Sequence, residues 1–282
     1  MKILHSIFLT LAAMAIVIGY QIFGATFSLM LPVELHDFWM PYIMAASQVA
    51  LILLPAIYIS KWSEPGLRNS LRLTHLPKLY QIGLGVAGIL VLQVFAGSYG
   101  WLQEQMLPDN LHEYYTQFRQ TSEDMLITIL GGGGMYGFFK GMLVGAVVPA
   151  ICEETLFRGW LQSRLEERLG WIAAIIVAGL AFGLIHFNPV DFVSLSVIGI
   201  FLGISAWASK SLLLPVLLHF FNNAIGVSAI NLYGIDTLNT DDQQPDVMLV
   251  VAVFFISIVL LVFISKKLIL TSGFNVNRLL KK

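Results

Sequence analysis

Two adjacent carboxylates, Glu153 and Glu154, open the run Glu153-Glu154-Thr155-Leu156-Phe157-Arg158, directly after Cys152. A helix turns about 100° per residue, so Glu154 and Arg158 share a face and can pair, while Glu153 points elsewhere with no partner nearby in sequence. Further along are Phe182-Gly183-Leu184-Ile185-His186 and His219-Phe220-Phe221-Asn222-Asn223. His219 and Asn223 are four apart and share a helical face, with Asn222 on another. One unpaired Glu, two His and one Asn are the parts of a water-activating site. The carboxylate serves as base, the imidazoles orient water or hold a metal, and the amide donates to an oxyanion. Each element also has a plainer reading. The carboxylates can be surface charges where a helix leaves a membrane. His186 can be a core histidine bonded to a carbonyl, and His219 with Asn223 can join helices.

The elements that must position these residues are apolar. Of 282 residues 57% are hydrophobic and 12% charged, and mean hydropathy is +0.79. An ordinary soluble domain carries roughly 25% charge. This composition excludes a disordered chain, a disulfide scaffold and a nucleic-acid binder, the net charge being −1 and the cysteine count 1. It predicts an all-α, polytopic transmembrane bundle. About eight stretches are long enough to cross: 3–31, 41–60, 79–101, 136–152, 171–190, 192–209, 211–230 and 247–265. Only Lys140 is charged within them, near enough to a helix end to snorkel. The first stretch is too long for a signal peptide and reads as a retained helix. The candidate residues fall on spans four, five and seven, with the site between them. Glu153 and Glu154 sit just past the end assigned to the fourth span. Segment 102–135 is expected to form short interfacial helices, with Gly131–Gly134 a flexible joint.

Loop charges alternate. Fourteen of the 16 basic residues fall on one side if every span crosses, leaving Arg119 and Lys140 on the other with the acidic loops. The positive-inside rule makes the protein integral and multi-pass with both termini cytosolic. The basic tail after Lys266 is expected on the inner membrane surface. Because Glu153 lies towards that side, the site is expected to line a water-filled cavity open to the cytosol. Straight spans leave His186 and His219 at depths differing by roughly 12 Å, counted at about 1.5 Å per residue.

Taken in order, E-E-x-x-x-R, F-x-x-x-H and H-x-x-x-N on apolar helices resemble the CAAX protease and bacteriocin-processing family of intramembrane proteases. That family includes the Ras-converting prenyl endopeptidases and the Abi proteins. The matching residues are Glu153, Glu154 and Arg158, then Phe182 and His186, then His219 and Asn223. The resemblance divides the chain into 1–135 (three spans and an outer loop), a catalytic core at 136–230, and 231–282 (the last span and tail). It implies an endopeptidase acting on a membrane-associated protein or peptide. By position, Glu153 activates water, His186 helps hold it, and His219 and Asn223 stabilise the oxyanion. Glu154, Arg158 and Phe182 are supporting residues. The family is often labelled metalloprotease, and Glu153, His186 and His219 are the three positions zinc would take. There is no H-E-x-x-H, and a metal-free glutamate mechanism needs no cofactor. The expected partners are membrane lipid and a membrane-associated protein or peptide substrate, with no nucleic acid.

Three rival readings stay open. A non-enzymatic immunity or scaffold protein could keep the motif for stability. A cysteine protease would use Cys152, which has no histidine nearby in sequence. A transporter would relay protons through Glu153 and His186, although no inverted repeat is visible.

Overall fold

The computed structural model describes residues 2–62, 66–131, 134–233 and 245–273. Among them there are helices and turns and no strand. The first helix, α1, is Lys2–Met30. Residues 33–61 form α2, α-helical at Val33–Gln48 and Leu54–Lys61 with a wider π-type turn at Val49–Leu53 between them. Helices α3 (Leu79–Gln105), α4 (Asp109–Leu130) and α5 (Gly134–Leu169) follow. The last four are α6 (Trp171–Leu184), α7 (Phe192–Ser209), α8 (Leu213–Tyr233) and α9 (Val247–Thr271). Seven of these are long and apolar enough to cross a membrane, and α6 is a shorter apolar helix. The protein is an integral, multi-pass, all-helical bundle.

Several boundaries differ from those read in the sequence. The fourth span does not stop near Cys152. Helix α5 runs 36 residues to Leu169, because neighbouring helices supply partners for the polar groups that the hydropathy pattern would exclude. Its π-type turns at Met142–Val147 and Thr155–Gln162 bracket the two carboxylates. Such turns gather at functional sites. The fifth span ends at Leu184 rather than 190, ahead of Pro189. Segment 102–135 holds one 22-residue helix, α4, not several short ones. Lys140 does not snorkel but is buried. Gly132, Gly133, most of the acidic 236–246 loop and the tail from residue 274 lie outside the described residues.

The bundle has two chemically distinct ends. At one, Arg72 Nη2 donates to Glu166 Oε1 at 2.7 Å, Leu212 N donates to Arg72 O, and Gln81 Nε2 reaches Ala208 O and Thr271 Oγ1. This end gathers the Leu67–Ser70 turn, the end of α5 and the basic residues Lys61, Arg68, Lys78, Lys210 and Lys266. At the other, α4 covers the α6–α7 turn, and Asn231 Nδ2 donates to Leu130 O at 3.0 Å. Arg119 there bridges Glu104 and Glu123.

Small residues bring α6 and α7 into backbone contact, as lipid gives helices no hydrophobic reason to associate. A Cβ on Gly179 would stand 2.8 Å from Ile200 N and 3.1 Å from Gly199 C. Gly179→Ala is expected to cost about 1–3 kcal/mol by wedging these helices apart, read as a lowered midpoint in a detergent thermal-shift assay. Gly170, between α5 and α6, has φ +80, a conformation that L side chains rarely adopt. It lets the chain reverse at once, and Trp171 then stacks on Trp207 of α7 with centroids 4.3 Å apart.

Candidate active site

The centre of the site is an ion pair with no exposed surface. Glu154 and Arg158 are both 0% exposed, and Arg158 Nη1 donates to Glu154 Oε1 at 2.9 Å. Helix α5 therefore forms the pair that its i,i+4 spacing predicts. The other Arg158 terminal nitrogen, Nη2, donates to Gly199 O of α7 at 2.9 Å. One turn on, Gln162 Nε2 donates to Gly203 O at 3.0 Å. The two glycines leave these carbonyls open to side-on approach, so α5 is stitched to α7 by a polar ladder. The guanidinium carbon of Arg158 also lies 4.5 Å from the centroid of Phe182.

His219 of α8 donates from Nδ1 to the same Glu154 oxygen at 2.8 Å. Glu154 is thus the hub joining α5 to α8, with Oε1 taking two donors while Oε2 has none. Glu153 has a different environment. Its closest polar partner is Gln48 Nε2 of α2, at a long 3.5 Å, and its buried Oε2 has no hydrogen-bond partner. Tyr20 of α1 lies beside Gln48 and Glu153. The adjacent carboxylates, about 100° apart on the helix, are therefore divided between a hub bonded to a guanidinium and an imidazole and a group with one long amide contact.

Phe182 resolves the expected depth mismatch. Its ring centroid lies 4.9 Å from that of His186 and 5.7 Å from that of His219. The short α6 and its early end bring both imidazoles against one phenyl ring. His186 follows the helix end, and its Nδ1 contacts Phe182 O at 2.7 Å. A carbonyl can only accept, so Nδ1 carries the proton and Nε2 is left bare in the neutral ring. Gln21 Nε2 of α1 holds the preceding carbonyl, Ile185 O, at 2.6 Å. The next residue, Phe187, sits at φ 48, unusual for a bulky side chain.

Asn223 is one turn beyond His219. Its Nδ2 donates to Gly145 O of α5 at 2.9 Å, leaving one amide N–H, while its Oδ1 accepts from Asn222 Nδ2 at 3.2 Å. Asn222 is thus not turned away from the site. It links Asn223 to Gln93 of α3, whose Nε2 donates to Asn222 Oδ1 at 2.8 Å. Gln48, Gln93, Gln21 and Tyr20 are participants that motif reasoning missed. The available signal was the same one that flagged the histidines, since an amide inside an apolar span is also costly unless bonded.

Residues 136–225 match the family model described as type II CAAX prenyl endopeptidase Rce1-like.

The match and the resemblance drawn from the motifs agree, and the matched stretch contains all seven motif residues. It covers most of α5, all of α6 and α7, and part of α8. No curated protein and no solved structure matches the chain. Helices α1, α2 and α3 lie outside the matched residues, yet they supply the partners of Ile185 O, Glu153 and Asn222.

Among the described residues, no three His, Cys, Asp or Glu side chains lie at metal-binding spacing. His219 and His186 each use one ring nitrogen within the protein, on Glu154 and on a backbone carbonyl. Cys152 is buried between apolar groups of α5 and its neighbours in the core cluster.

His186 also lines a cavity of about 490 Å³. This cavity lies beneath α4, at the end of the bundle opposite the basic connectors. Of the motif residues, only His186 lines it. The charged motif, buried midway along the 36 residues of α5, marks the interior of the bundle and not its basic end.

Proposed function

We propose that the protein is an intramembrane endopeptidase that hydrolyses a peptide bond in a membrane-associated protein or peptide, using water activated by Glu153. The observation that carries this reading is the unequal treatment of the two carboxylates. Each keeps a buried Oε2 without a hydrogen-bond partner, but Glu154 is engaged through Oε1 by Arg158 and His219, whereas Glu153 has only a long contact from Gln48. A carboxylate already bonded to a guanidinium and an imidazole is the poorer base, which leaves Glu153 to take the proton.

The chemistry follows from the donors. His186 Nε2 accepts one O–H of the attacking water, and Glu153 removes the other proton as the water oxygen bonds to the carbonyl carbon. The carbonyl π electrons move to oxygen. His219, its ring oriented through Nδ1 by Glu154, faces the oxyanion together with the remaining Asn223 N–H. When the tetrahedral species collapses, the C–N bond breaks and Glu153 returns its proton to the amine nitrogen. Both products are then neutral at the reacting atoms before they re-ionise.

Each step uses groups of this chain, and the mechanism is metal-free. Chelation by EDTA or phenanthroline is expected to leave turnover within about twofold, whereas a zinc enzyme loses activity on metal removal. Cys152→Ala is expected to cleave at the wild-type rate, because a thiol packed among apolar groups acts as a small hydrophobe. Cleavage of a membrane-anchored peptide in detergent, followed by mass spectrometry, measures both. Chelator-sensitive turnover sinks the metal-free step, and an inactive, folded Cys152→Ala protein sinks the glutamate assignment.

The termini are proposed to be cytosolic, because the basic residues gather at one end of the bundle. With that orientation the His186 cavity opens on the opposite face. Cysteine-accessibility labelling of Lys61→Cys and Thr116→Cys in intact cells, on a Cys152→Ala background, tests it. Labelling of position 61 from outside the cell inverts the orientation.

A further inference from the structure

The cavity beside His186 has two walls. One is a stripe of α4 formed by Tyr114, Gln117, Phe118, Thr121 and Met125, at the spacing of a single helical face. The other is the turn His186-Phe187-Asn188. From Tyr114 to Met125 the stripe rises about 16 Å at ~1.5 Å per residue. An extended peptide covers that distance in about five residues at ~3.3 Å each. Apart from His186, no lining residue is ionisable below the tyrosine range. The charged residues of α4 nearby, Arg119 and Glu123, line a neighbouring cavity of about 440 Å³ and engage each other at 3.0 Å.

Phe187 is the unusual group. It is 60% exposed, it occupies a left-handed backbone conformation at φ 48, and it lines the same cavity as His186. A large side chain held there at a conformational cost is a mark of function, not of folding. Exposed aromatic anchors of this kind concentrate binding energy at interfaces. Neither Phe187 nor any residue of α4 belongs to the motif that carries the chemistry, and α4 lies outside the family match.

We propose that the groove between α4 and the Phe187 turn is the substrate subsite. It takes a neutral, largely apolar, extended stretch of about five residues next to the scissile bond, with Phe187 as its anchoring residue. This rests on the endopeptidase reading. Helix α4 then selects the sequence that is cut, and the α5–α8 motif cuts it. A charged side chain in this stretch loses water against Phe118, Met125 and Phe187 with no counter-charge in the groove. The peptide backbone meets the amide of Gln117 and the hydroxyls of Thr121 and Ser122.

The test uses the full chain in liposomes and a probe of stated composition, a ten-residue segment carried on a single Leu-Ala transmembrane helix. Photo-crosslinking benzoylphenylalanine is placed at Thr121, in the groove, or at Thr116, on the exposed side of α4, in a Glu153→Gln background. A neutral apolar segment is expected to crosslink at position 121 and not at 116. Lys or Glu at its central positions is expected to lower the yield about tenfold or more. In the otherwise wild-type chain, Phe187→Ala is expected to raise KM about tenfold with kcat within about twofold, and Phe187→Tyr to restore KM. Equal crosslinking at 116 and 121, or indifference to charge, overturns the groove even if the protein cleaves. Crosslinking at 121 without any cleavage by wild type keeps the groove as a peptide site and overturns the endopeptidase reading instead. Loss of kcat rather than KM in Phe187→Ala removes its anchoring role.

Discussion

Glu153→Gln is expected to lower kcat for peptide cleavage by about 10²–10⁴, the usual contribution of a positioned general base, while the protein folds and inserts normally. Glutamine preserves the shape of the side chain and can still meet Gln48, so the bundle loses only the ability to take a proton at that position. The same change at Glu154 has a different signature. In Glu154→Gln the amide oxygen still accepts from Arg158, but the neutral side chain no longer balances the buried guanidinium or orients His219 as strongly, so activity and stability fall together. The pair of variants therefore separates base from hub. The measurements are cleavage rate and thermal midpoint on the same preparations. A Glu153→Gln protein that cleaves at the wild-type rate removes Glu153 as the base. If the biological activity of the protein also persists in full, a non-enzymatic immunity or scaffold role becomes the better reading.

Arg158→Met is expected to be the most destabilising single change. It leaves the Glu154 carboxylate buried with His219 as its remaining donor, and uncoupling one partner of a buried pair costs about 3–5 kcal/mol. That corresponds to a fall in midpoint on the order of 10 °C for a chain of this size. It also frees Gly199 O and removes the cation from the face of Phe182, whose ring packs against both histidines. The double variant Glu154→Leu/Arg158→Met removes both charges and is expected to recover most of the stability, because an apolar pair in the same volume carries no desolvation penalty. It does not recover activity, since His219 then lacks its orienting carboxylate. If the double variant is less stable than the single one, the hub is not behaving as an isolated buried pair. The Gly199 and His219 bonds then dominate its energetics.

Much of this architecture is present in the residue order. Hydropathy and charge spacing place the helices, and α1, α3, α7, α8 and α9 begin within about three residues of the stretches read from them, since a bilayer tolerates few unpaired polar groups along about 20 residues. The seven motif residues are visible too, because each is a polar or aromatic group at helical spacing in or beside an apolar run. The pairing of Glu154 with Arg158 is local, and local geometry is what sequence specifies best.

What lies beyond the sequence is non-local. Hydropathy ends the fourth span at the first charges, yet α5 continues through them because Gly199, Gly203 and His219, all distant in sequence, satisfy its polar side chains. Segment 102–135 gives no long apolar run and reads as short interfacial helices, but Tyr115, Arg119 and Leu130 find partners on α3, its end and α8, and one 22-residue helix results. The roles of Gln48 and Gln93 depend on where α2 and α3 pass, and no spacing within the chain encodes that. The sequence by itself determined a membrane bundle and its chemical inventory, because both follow from residue type and helical period. Only the tertiary structure decided which carboxylate is bonded to Arg158 and His219 and which is not, how a 14-residue helix brings His186 and His219 against the same Phe182 ring, and which end of the bundle the His186 cavity faces. Those depend on contacts between helices more than 100 residues apart, 105 between Gln48 and Glu153 and 164 between Gln21 and Ile185, where the geometry is set by packing and not by the local chain.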